Sequence, residues 1–389
     1  MKYNCVILCG GYGSRLKQLT KKIPKPLLKV NNEPFLYYLI NNLKRFGVKN
    51  ILILSHYKSD EFKVYFKNNF KEMNIRVLKE KSKLGTGGSI LNSIKFLENK
   101  FYILNGDTYF DINLLTLESN LGNSGLIIAG TKKKKSNYSY TYKNNTILNK
   151  KEKEKNCLVS GGVYLARKSF FKNYTLKNID LDKEIIWPNI KKKKIKLKIF
   201  NNPFHDIGSS MKDFKQTQRF LKKNYIKPCC FLDRDGVINY DTGYVHSKNK
   251  FKWKNNVIKG IKYLNENNYY VIVITNQAGI AHGFYREKDV IILHSHINKT
   301  LFRHGAHIDR FYFCPHHSEA KIKKYKKNCN FRKPNIGMFK KAFNDFKIIK
   351  NKSFFVGDKD TDKEASEKID LKFYWPESDF LKQIKKIVK

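Results

Sequence analysis

The sequence predicts an α/β protein of two domains, and three observations carry that prediction. Short apolar runs rich in Val, Ile and Phe alternate with segments of helical periodicity, the pattern of a parallel sheet flanked by helices. Glycine-rich and acidic clusters follow directly on several of those runs, where open α/β sheets place ligand-binding residues. The series also restarts at residue 229, after a lysine-rich stretch, and no repeat relates the two halves. A length of 389 residues suits such an arrangement, with domains at 1–222 and 229–389 and a linker at 223–228.

Residues 5–8 read as a buried strand running into a glycine loop. A helix follows at 34–46, with Phe35, Leu36, Leu39, Ile40 and Leu43 on one face, and Gly47 stops it. Strands are expected at 51–54, 75–78 and 101–104, the last two separated by a helix near 88–97. Beyond residue 126 the pattern is strand-rich, at 126–129, 138–142, 158–165 and 196–200, before a closing helix at 211–221. The second half holds expected strands at 229–232, 270–274, 310–313, 353–356 and 371–374.

Hydrophobic residues make up 41% of the chain and aromatics 14%, enough to fill sizeable cores, which excludes a disordered or collagen-like chain. No apolar run approaches the roughly 18 residues that span a bilayer. The opening residues reach a glycine loop too soon to hold a secretory signal. Seven cysteines, an odd number, do not read as a disulfide framework. A soluble, cytoplasmic protein without membrane partners is expected.

The charge is the unusual feature: 78 Lys and Arg against 33 Asp and Glu, a net +45. Nucleic acid is the sharp reading of such a charge. Yet the excess is nearly all lysine, in the company of the Asn, Ile, Tyr and Phe that an AT-rich genome produces. The lysines lie in scattered runs, at 132–135, 191–194 and 321–327, rather than in a nucleic-acid-binding motif. The expected partners are therefore small anionic substrates that the field would steer, not nucleic acid.

Leu8-Cys9-Gly10-Gly11-Tyr12-Gly13-Ser14-Arg15-Leu16 follows the first expected strand, and Lys25-Pro26 comes shortly after. Gly10, Gly11 and Gly13 let backbone N–H groups approach a polyphosphate, and Arg15 and Lys25 supply cations to it. The spacing is neither that of a dinucleotide fold nor that of a P-loop. Asn105-Gly106-Asp107 sits after another strand. Together with Leu84-Gly85-Thr86-Gly87-Gly88, Gly161-Gly162-Val163-Tyr164 and His205-Asp206-Ile207-Gly208, these motifs make residues 3–221 resemble the sugar-1-phosphate nucleotidyltransferases. Among these, the motifs resemble those of the D-glycero-α-D-manno-heptose-1-phosphate guanylyltransferases first and of the mannose-1-phosphate guanylyltransferases next.

That resemblance implies a Rossmann-like, GT-A-like domain. Its reaction would be attack by a sugar 1-phosphate on the α-phosphorus of a nucleoside triphosphate, GTP by the first of those resemblances. It implies that Asp107 and Asp206 hold Mg²⁺, that Arg15 binds the outer phosphates and that Lys25 stabilises the α-phosphate. Gly87 and Gly88 would lie against the base, and Gly162 against the sugar. The family's sugar-phosphate lysine stands ahead of the Gly161-Gly162 strand. Counting back without a gap reaches Lys150-Lys151 and selects Lys151, whereas a gap selects Lys153 or Lys155.

Phe231-Leu232-Asp233-Arg234-Asp235-Gly236-Val237 sets two carboxylates two residues apart at the end of a buried strand. One can attack phosphorus while the other donates a proton to the leaving oxygen. Val273-Ile274-Thr275-Asn276, Arg332-Lys333-Pro334 and Phe355-Val356-Gly357-Asp358-Lys359-Asp360 follow in order. With Asp241-Thr242-Gly243-Tyr244 and the Thr275-Asn276-Gln277-Ala278-Gly279 run, these make residues 229–375 resemble the haloacid-dehalogenase-like phosphatases, whose fold is Rossmannoid. Within that group they are most similar to D-glycero-D-manno-heptose-1,7-bisphosphate 7-phosphatases, with histidinol phosphatases next.

The second resemblance implies Asp233 as nucleophile, Asp235 as general acid and then base, and Thr275 and Lys333 around the transferring phosphoryl group. Mg²⁺ would be held by Asp233, Asp358 and the backbone carbonyl of Asp235. Asp241, Thr242, Gly243, Tyr244, Asn276, Gln277, Arg332 and Lys359 would bind substrate. Cys314-Pro315-His316 with Cys329-Asn330-Phe331 is similar to the family's zinc loop, C-x-H…C-x-C, except that Phe331 stands where the last cysteine would be. Either Cys314, His316 and Cys329 hold Zn²⁺ with a water or His317, or the site is lost.

The two resemblances imply consecutive steps of nucleotide-activated heptose synthesis for surface glycans. One half would make heptose 1-phosphate from heptose 1,7-bisphosphate; the other would join it to a nucleotide. The alternatives are a hexose-1-phosphate nucleotidyltransferase fused to a histidinol-phosphatase-like enzyme, and a basic nucleic-acid-associated protein with decayed sites. The intact Asp233/Asp235 and Arg15/Lys25 sets argue against the last.

Overall fold

The computed structural model describes residues 2–388 except 144, 145, 191, 193 and 209; the side chains of 15, 17, 18, 133–139, 141–143 and 146–157 also lie outside the described residues. The chain forms two compact units, Met1–Asn224 and Tyr225–Lys389. The helix Met211–Asn224 carries the first unit three residues past the expected helix end, so residues 223 and 224, assigned to a linker by sequence, are helical. Among the described residues, no helix is long and apolar enough to cross a membrane.

The first strand, Tyr3–Leu8, occupies an interior position in a seven-stranded sheet because Cys5, Val6 and Ile7 are apolar in succession and all are buried. It pairs in parallel with Asn50–Ser55 on one side and Leu97–Asn105 on the other. Asn74–Lys79 continues the parallel set beyond Asn50–Ser55; it is the edge strand and has no fully buried residue. The helix Phe35–Arg45 buries Phe35, Leu36, Leu39, Ile40 and Leu43, the face expected from its spacing, and stops before Gly47. A second helix, Gly85–Ser93, begins three residues earlier than expected.

The rest of this sheet departs from the parallel pattern. Thr146–Arg167 runs antiparallel to both Leu97–Asn105 and Leu126–Lys143, while Ile195–Ile199 is parallel to Leu126–Lys143. The strands expected at 126–129 and 138–142 are parts of one 18-residue strand, and that at 158–165 lies within one of 22 residues. Their continuity was hidden because a run of lysines carries none of the apolar alternation by which a strand is read. A separate antiparallel ladder joins Thr108–Phe110 to Phe204–Asp206 and pairs Asp206 with Thr108.

The second unit is a five-stranded, all-parallel sheet. Its strand order is Arg310–Cys314, Tyr270–Asn276, Cys229–Leu232, Phe354–Val356, Lys372–Tyr374. Alternation along the central strand divides its side chains between two cores. Cys230 and Leu232 pack with Val257, Ile261, Leu293, Ile297 and Phe380, from the helices Val257–Glu266, Glu287–Arg303 and Phe380–Ile387. Cys229 and Phe231 pack on the opposite face with Met338, Phe339 and Ala365, from Gly337–Asp345 and Asp360–Glu367. Burial on both faces leaves only the strand ends open to chemistry.

Candidate active sites

In the first unit the ends of four adjacent parallel strands open into a cavity of about 670 Å³. Gly10, Gly11 and Gly13 line it from the loop after Tyr3–Leu8, and Lys25 comes from the segment beyond that loop. Asp107 follows Leu97–Asn105, and the two-stranded ladder brings Asp206 to the same cavity. Lys25 Nζ donates to Asp107 Oδ2 at 2.7 Å, and the Ile207 N–H donates to the Asp107 carbonyl at 2.9 Å. The site therefore pairs a cation with a carboxylate and adds a second carboxylate, a set suited to phosphate and a divalent cation together.

Other expected residues stand elsewhere. Gly87 and Gly88 do not line the cavity: both are buried in Gly85–Ser93, and their N–H groups donate to the Ile179 carbonyl. A Cβ on Gly88 would lie 2.3 Å from the Lys177 carbonyl oxygen, so glycine is required there for packing. Gly85, Thr86 and Ser89 face the cavity instead. Gly162 packs against the side chain of Asn105, which does line it. The side chains of Arg15, Lys151, Lys153 and Lys155 lie outside the described residues.

In the second unit Asp233 follows the central strand and is buried. Its Oδ1 accepts from the Arg234 N–H at 2.7 Å and lies 3.1 Å from Lys333 Nζ. Lys333 Nζ also lies 2.6 Å from Asp362 Oδ1 and donates to the Ile274 carbonyl at 2.9 Å. Burial pushes the Asp233 carboxyl up to about 7, with Lys333 pulling against it and Asp362, Asp235 and Asp358 adding to it. Burial acts to lower the Lys333 ammonium, but Asp233 and Asp362 outweigh it and hold the group above its usual range. A buried cation between two carboxylates holds only as a set; removing one partner of such a pair costs roughly 3–5 kcal/mol.

The Asp233, Asp358 and Asp362 carboxylates offer oxygens within 4.8 Å of one another, and Asp358 Oδ1 is buried without a hydrogen-bond partner. Burial raises the Asp358 carboxyl, and Lys359 opposes it. This is a donor set that a hard divalent cation fits. Gly236 closes over it with φ +81°, and a Cβ there would lie 1.9 Å from Asp358 Oδ2. Asp362 was not expected from the sequence. Its Oδ2 accepts the N–H groups of Asp358 and Lys359 and so fixes the acidic turn.

Asp235 is held by side chains that the sequence did not assign to it. Arg234, fully buried, donates to Asp235 Oδ1 from Nε at 3.1 Å and to Oδ2 from Nη2 at 2.7 Å. Asn239 Nδ2 donates to Oδ1 at 2.9 Å and Gln277 Nε2 to Oδ2 at 3.0 Å. Gln277, expected to bind substrate, is only 1% exposed and also contacts Thr275 Oγ1 and Tyr285 OH, so its amide is engaged within the protein. Asn276 likewise spends its amide on the backbone of Lys333, accepting its N–H and donating to its carbonyl, both at 3.0 Å. An arginine between two aspartates at a buried strand end was the one legible signal for this network.

Asp241, Thr242, Gly243 and Tyr244 form an exposed rim, where Lys359 Nζ lies 3.5 Å from Asp241 Oδ2. The Tyr244 ring meets Phe284 edge-on at 4.6 Å. Arg332 donates to the His316 carbonyl at 3.2 Å. Cys314, His316 and Cys329 bring their ligand atoms within 4.8 Å of one another, a nitrogen and sulfur set that suits Zn²⁺. Burial pushes the Cys314 thiol up to about 12, a cost that a bound cation would offset. His317 is outside the cluster, its Nδ1 accepting the Glu319 N–H at 3.1 Å, and Phe331 is 40% exposed.

Comparison with known proteins divides the chain in the same way. The nucleotidyl transferase family model matches residues 4–224, and the polynucleotide kinase 3 phosphatase model matches residues 231–380. The first half is 38% identical to a D-glycero-alpha-D-manno-heptose 1-phosphate guanylyltransferase of Campylobacter jejuni over 211 residues, 52% of this chain and 93% of that protein. The second half is 41% identical to a D-glycero-beta-D-manno-heptose-1,7-bisphosphate 7-phosphatase of Rhodopseudomonas palustris over 140 residues, 36% of this chain and 78% of that protein. The crystal structure of HddC from Yersinia pseudotuberculosis is similar at 28% identity and a TM-score of 0.50, covering 56% of this chain and 98% of that one.

Two predictions come from these surroundings. His294 stacks on Phe311 at 4.3 Å beside Arg234, and burial, with that cation, holds its imidazole well below the usual 6.5. The unfolded chain then takes up the proton first as pH falls, so the stability tied to a neutral His294 is present above pH 6.5 and is lost below it. The excess unfolding free energy of wild type over His294→Phe should shrink below that pH by up to about 1.4 kcal/mol per unit in urea titrations; a pH-independent difference would contradict it. For the cysteine cluster, Phe331→Cys should bind zinc at least about tenfold more tightly than wild type in chelator competition, because a fourth ligand closes the tetrahedron. Equal affinities would mean that position 331 lies outside the coordination sphere.

Proposed function

We infer, for a chain that belongs to the nucleotidyl transferase family through its first unit and to the heptose bisphosphate 7-phosphatases through its second, that one polypeptide catalyses two consecutive steps. It hydrolyses the 7-phosphate of D-glycero-D-manno-heptose 1,7-bisphosphate and then transfers GMP from GTP to the heptose 1-phosphate, releasing pyrophosphate. The observation that carries this reading is the pair of sites: a paired-aspartate site with a buried lysine in one unit, and a glycine-lined cavity with Lys25, Asp107 and Asp206 in the other.

In the phosphatase half, Asp233 Oδ1 is engaged by Arg234 and Lys333, so Oδ2 is the oxygen placed to attack phosphorus. The sugar oxygen leaves with a proton from Asp235, and Asp235 takes one back from the water that cleaves the aspartyl phosphate. Four donors fix the position of the Asp235 carboxyl for both proton transfers. Asp233, Asp358 and the Asp235 carbonyl would hold Mg²⁺, which neutralises charge on the phosphoryl group. Lys333 and Thr275 face the same group, where preorganised donors act most strongly.

In the transferase half the chemistry needs positioning and charge neutralisation more than a covalent residue. The sugar-phosphate oxygen displaces pyrophosphate at the α-phosphorus, with Lys25 at that phosphate and Arg15 at the outer ones. Asp107 and Asp206 would hold Mg²⁺. The transferase relative is named for an α-1-phosphate and the phosphatase relative for a β-bisphosphate. Reaction at the 7-phosphate leaves C1 untouched, so a chain performing both steps takes the α-bisphosphate through both.

Separate carboxylates in separate units make the two activities separable. Asp233→Asn should abolish orthophosphate release, by at least about 1,000-fold, while pyrophosphate release from GTP and heptose 1-phosphate stays near wild type. Asp107→Ala should do the reverse. Assays of both products on each folded variant check this; loss of both activities in either would contradict it.

A further inference from the structure

The second unit buries a histidine to which the phosphatase chemistry assigns no role. In the helix Glu287–Arg303 the buried residues are Val290, Leu293, His294, Ile297 and Leu301, so His294 stands in a stripe that is otherwise apolar. It is 6% exposed; its ring lies flat on Phe311 at 4.3 Å and meets Phe313 edge-on at 6.0 Å. An imidazole in such a place is costly unless its nitrogens find partners. Its Nε2 lies 3.4 Å from Arg234 Nη1. A guanidinium can only donate, so Nε2 accepts, and the proton of the neutral ring sits on Nδ1.

Arg234 is itself wholly buried, and its donors are unevenly engaged. Nε and Nη2 grip both oxygens of Asp235, and Nη2 also reaches the Val245 carbonyl and Gln277 Oε1. Among the described residues, His294 is the acceptor that meets the other amino group, Nη1. Without it, a planar cation sealed from water would carry an unpaired donor, and it would tilt toward another acceptor to satisfy it. A bidentate pair keeps its geometry only while both planes stay aligned, so the Asp235 carboxyl would turn with the guanidinium. Stacking on Phe311 holds the imidazole, and the imidazole holds the guanidinium.

We propose that His294 is a positioning residue of the phosphatase: by accepting from Arg234 Nη1 it fixes the guanidinium plane, and through that plane the Asp235 carboxyl that protonates the leaving sugar oxygen. This rests on the reading of Asp235 as general acid. The consequence is selective. A sugar alkoxide is a poor leaving group and needs the proton, whereas p-nitrophenolate departs without one. Departure of the leaving group from phosphorus, as the bond to Asp233 forms, lies within the steps that kcat/KM reports.

The test measures orthophosphate release from α-heptose 1,7-bisphosphate and from p-nitrophenyl phosphate in wild type, His294→Phe and His294→Gln. His294→Phe keeps a flat ring beside Phe311 but removes the acceptor. It should lower kcat/KM for the bisphosphate about tenfold or more, and leave that for p-nitrophenyl phosphate within about twofold, which only a folded variant can show. His294→Gln, whose amide oxygen can accept from Nη1, should recover most of the loss. An equal fall with both substrates in His294→Phe would mean that the residue only supports the fold, and would overturn the proposal. So would a His294→Gln as impaired as His294→Phe, which would place the effect in ring packing. A wild type that releases no orthophosphate from the bisphosphate overturns the proposed function and this inference with it. A wild type that hydrolyses the bisphosphate, with His294→Phe equally active on it, overturns this inference alone.

Discussion

Parallel pairing on both sides of the first strand is the constraint on which each unit depends. Tyr3–Leu8 lies between two parallel neighbours, and so does Cys229–Leu232. A strand in that position is buried on both faces and along both edges, so it can be almost wholly apolar, and it is. Polar chemistry is then confined to the residues just past its carboxyl end, where the neighbouring strands also end. The glycine loop after Leu8 and the Asp233-Arg234-Asp235 run after Leu232 are two occupants of the same topological place.

Confinement creates an electrostatic problem that the two units meet differently. Around Asp233 the charges are dense and buried, and they are partly offset inside the protein by Lys333 and Arg234, with Ile274 and Val245 carbonyls taking the remaining donors. Such a site is rigid, because each charge is tolerable only while its partners stay in place. The cavity of the first unit is more open, and there Asp107 shares its charge with Lys25 alone among the cations that line it. A rigid site suits attack by a side chain on phosphorus; an open one suits a reaction between two bound substrates.

Much of this was legible in the sequence because the motifs sit at strand ends and strands are marked by apolar runs. The glycine loop, Asp107, Asp233, Asp235 and Asp358 could all be found that way, and Lys25 and Lys333 by the prolines that follow them. What remained hidden depends on partners distant in sequence. Gln277 and Asn276 resemble substrate contacts until their amides are seen to be spent on Asp235 and Lys333. Gly87 and Gly88 look like a ligand loop, yet they are small because the 177–179 backbone presses on them. Asp362 follows Asp358 by one helical turn and could pass for a surface acid of Asp360–Glu367.

The central claim is that both sites serve one route, in a fixed order. A transferase that accepts heptose 1-phosphate would have to bury extra charge if the 7-phosphate remained, so dephosphorylation should come first. The direct measurement is a time course of the wild-type chain with α-heptose 1,7-bisphosphate, GTP and Mg²⁺, with products resolved by mass. Orthophosphate and heptose 1-phosphate should appear before pyrophosphate, and GDP-heptose should be the only sugar nucleotide formed. Early release of pyrophosphate with accumulation of GDP-heptose 7-phosphate would contradict the account.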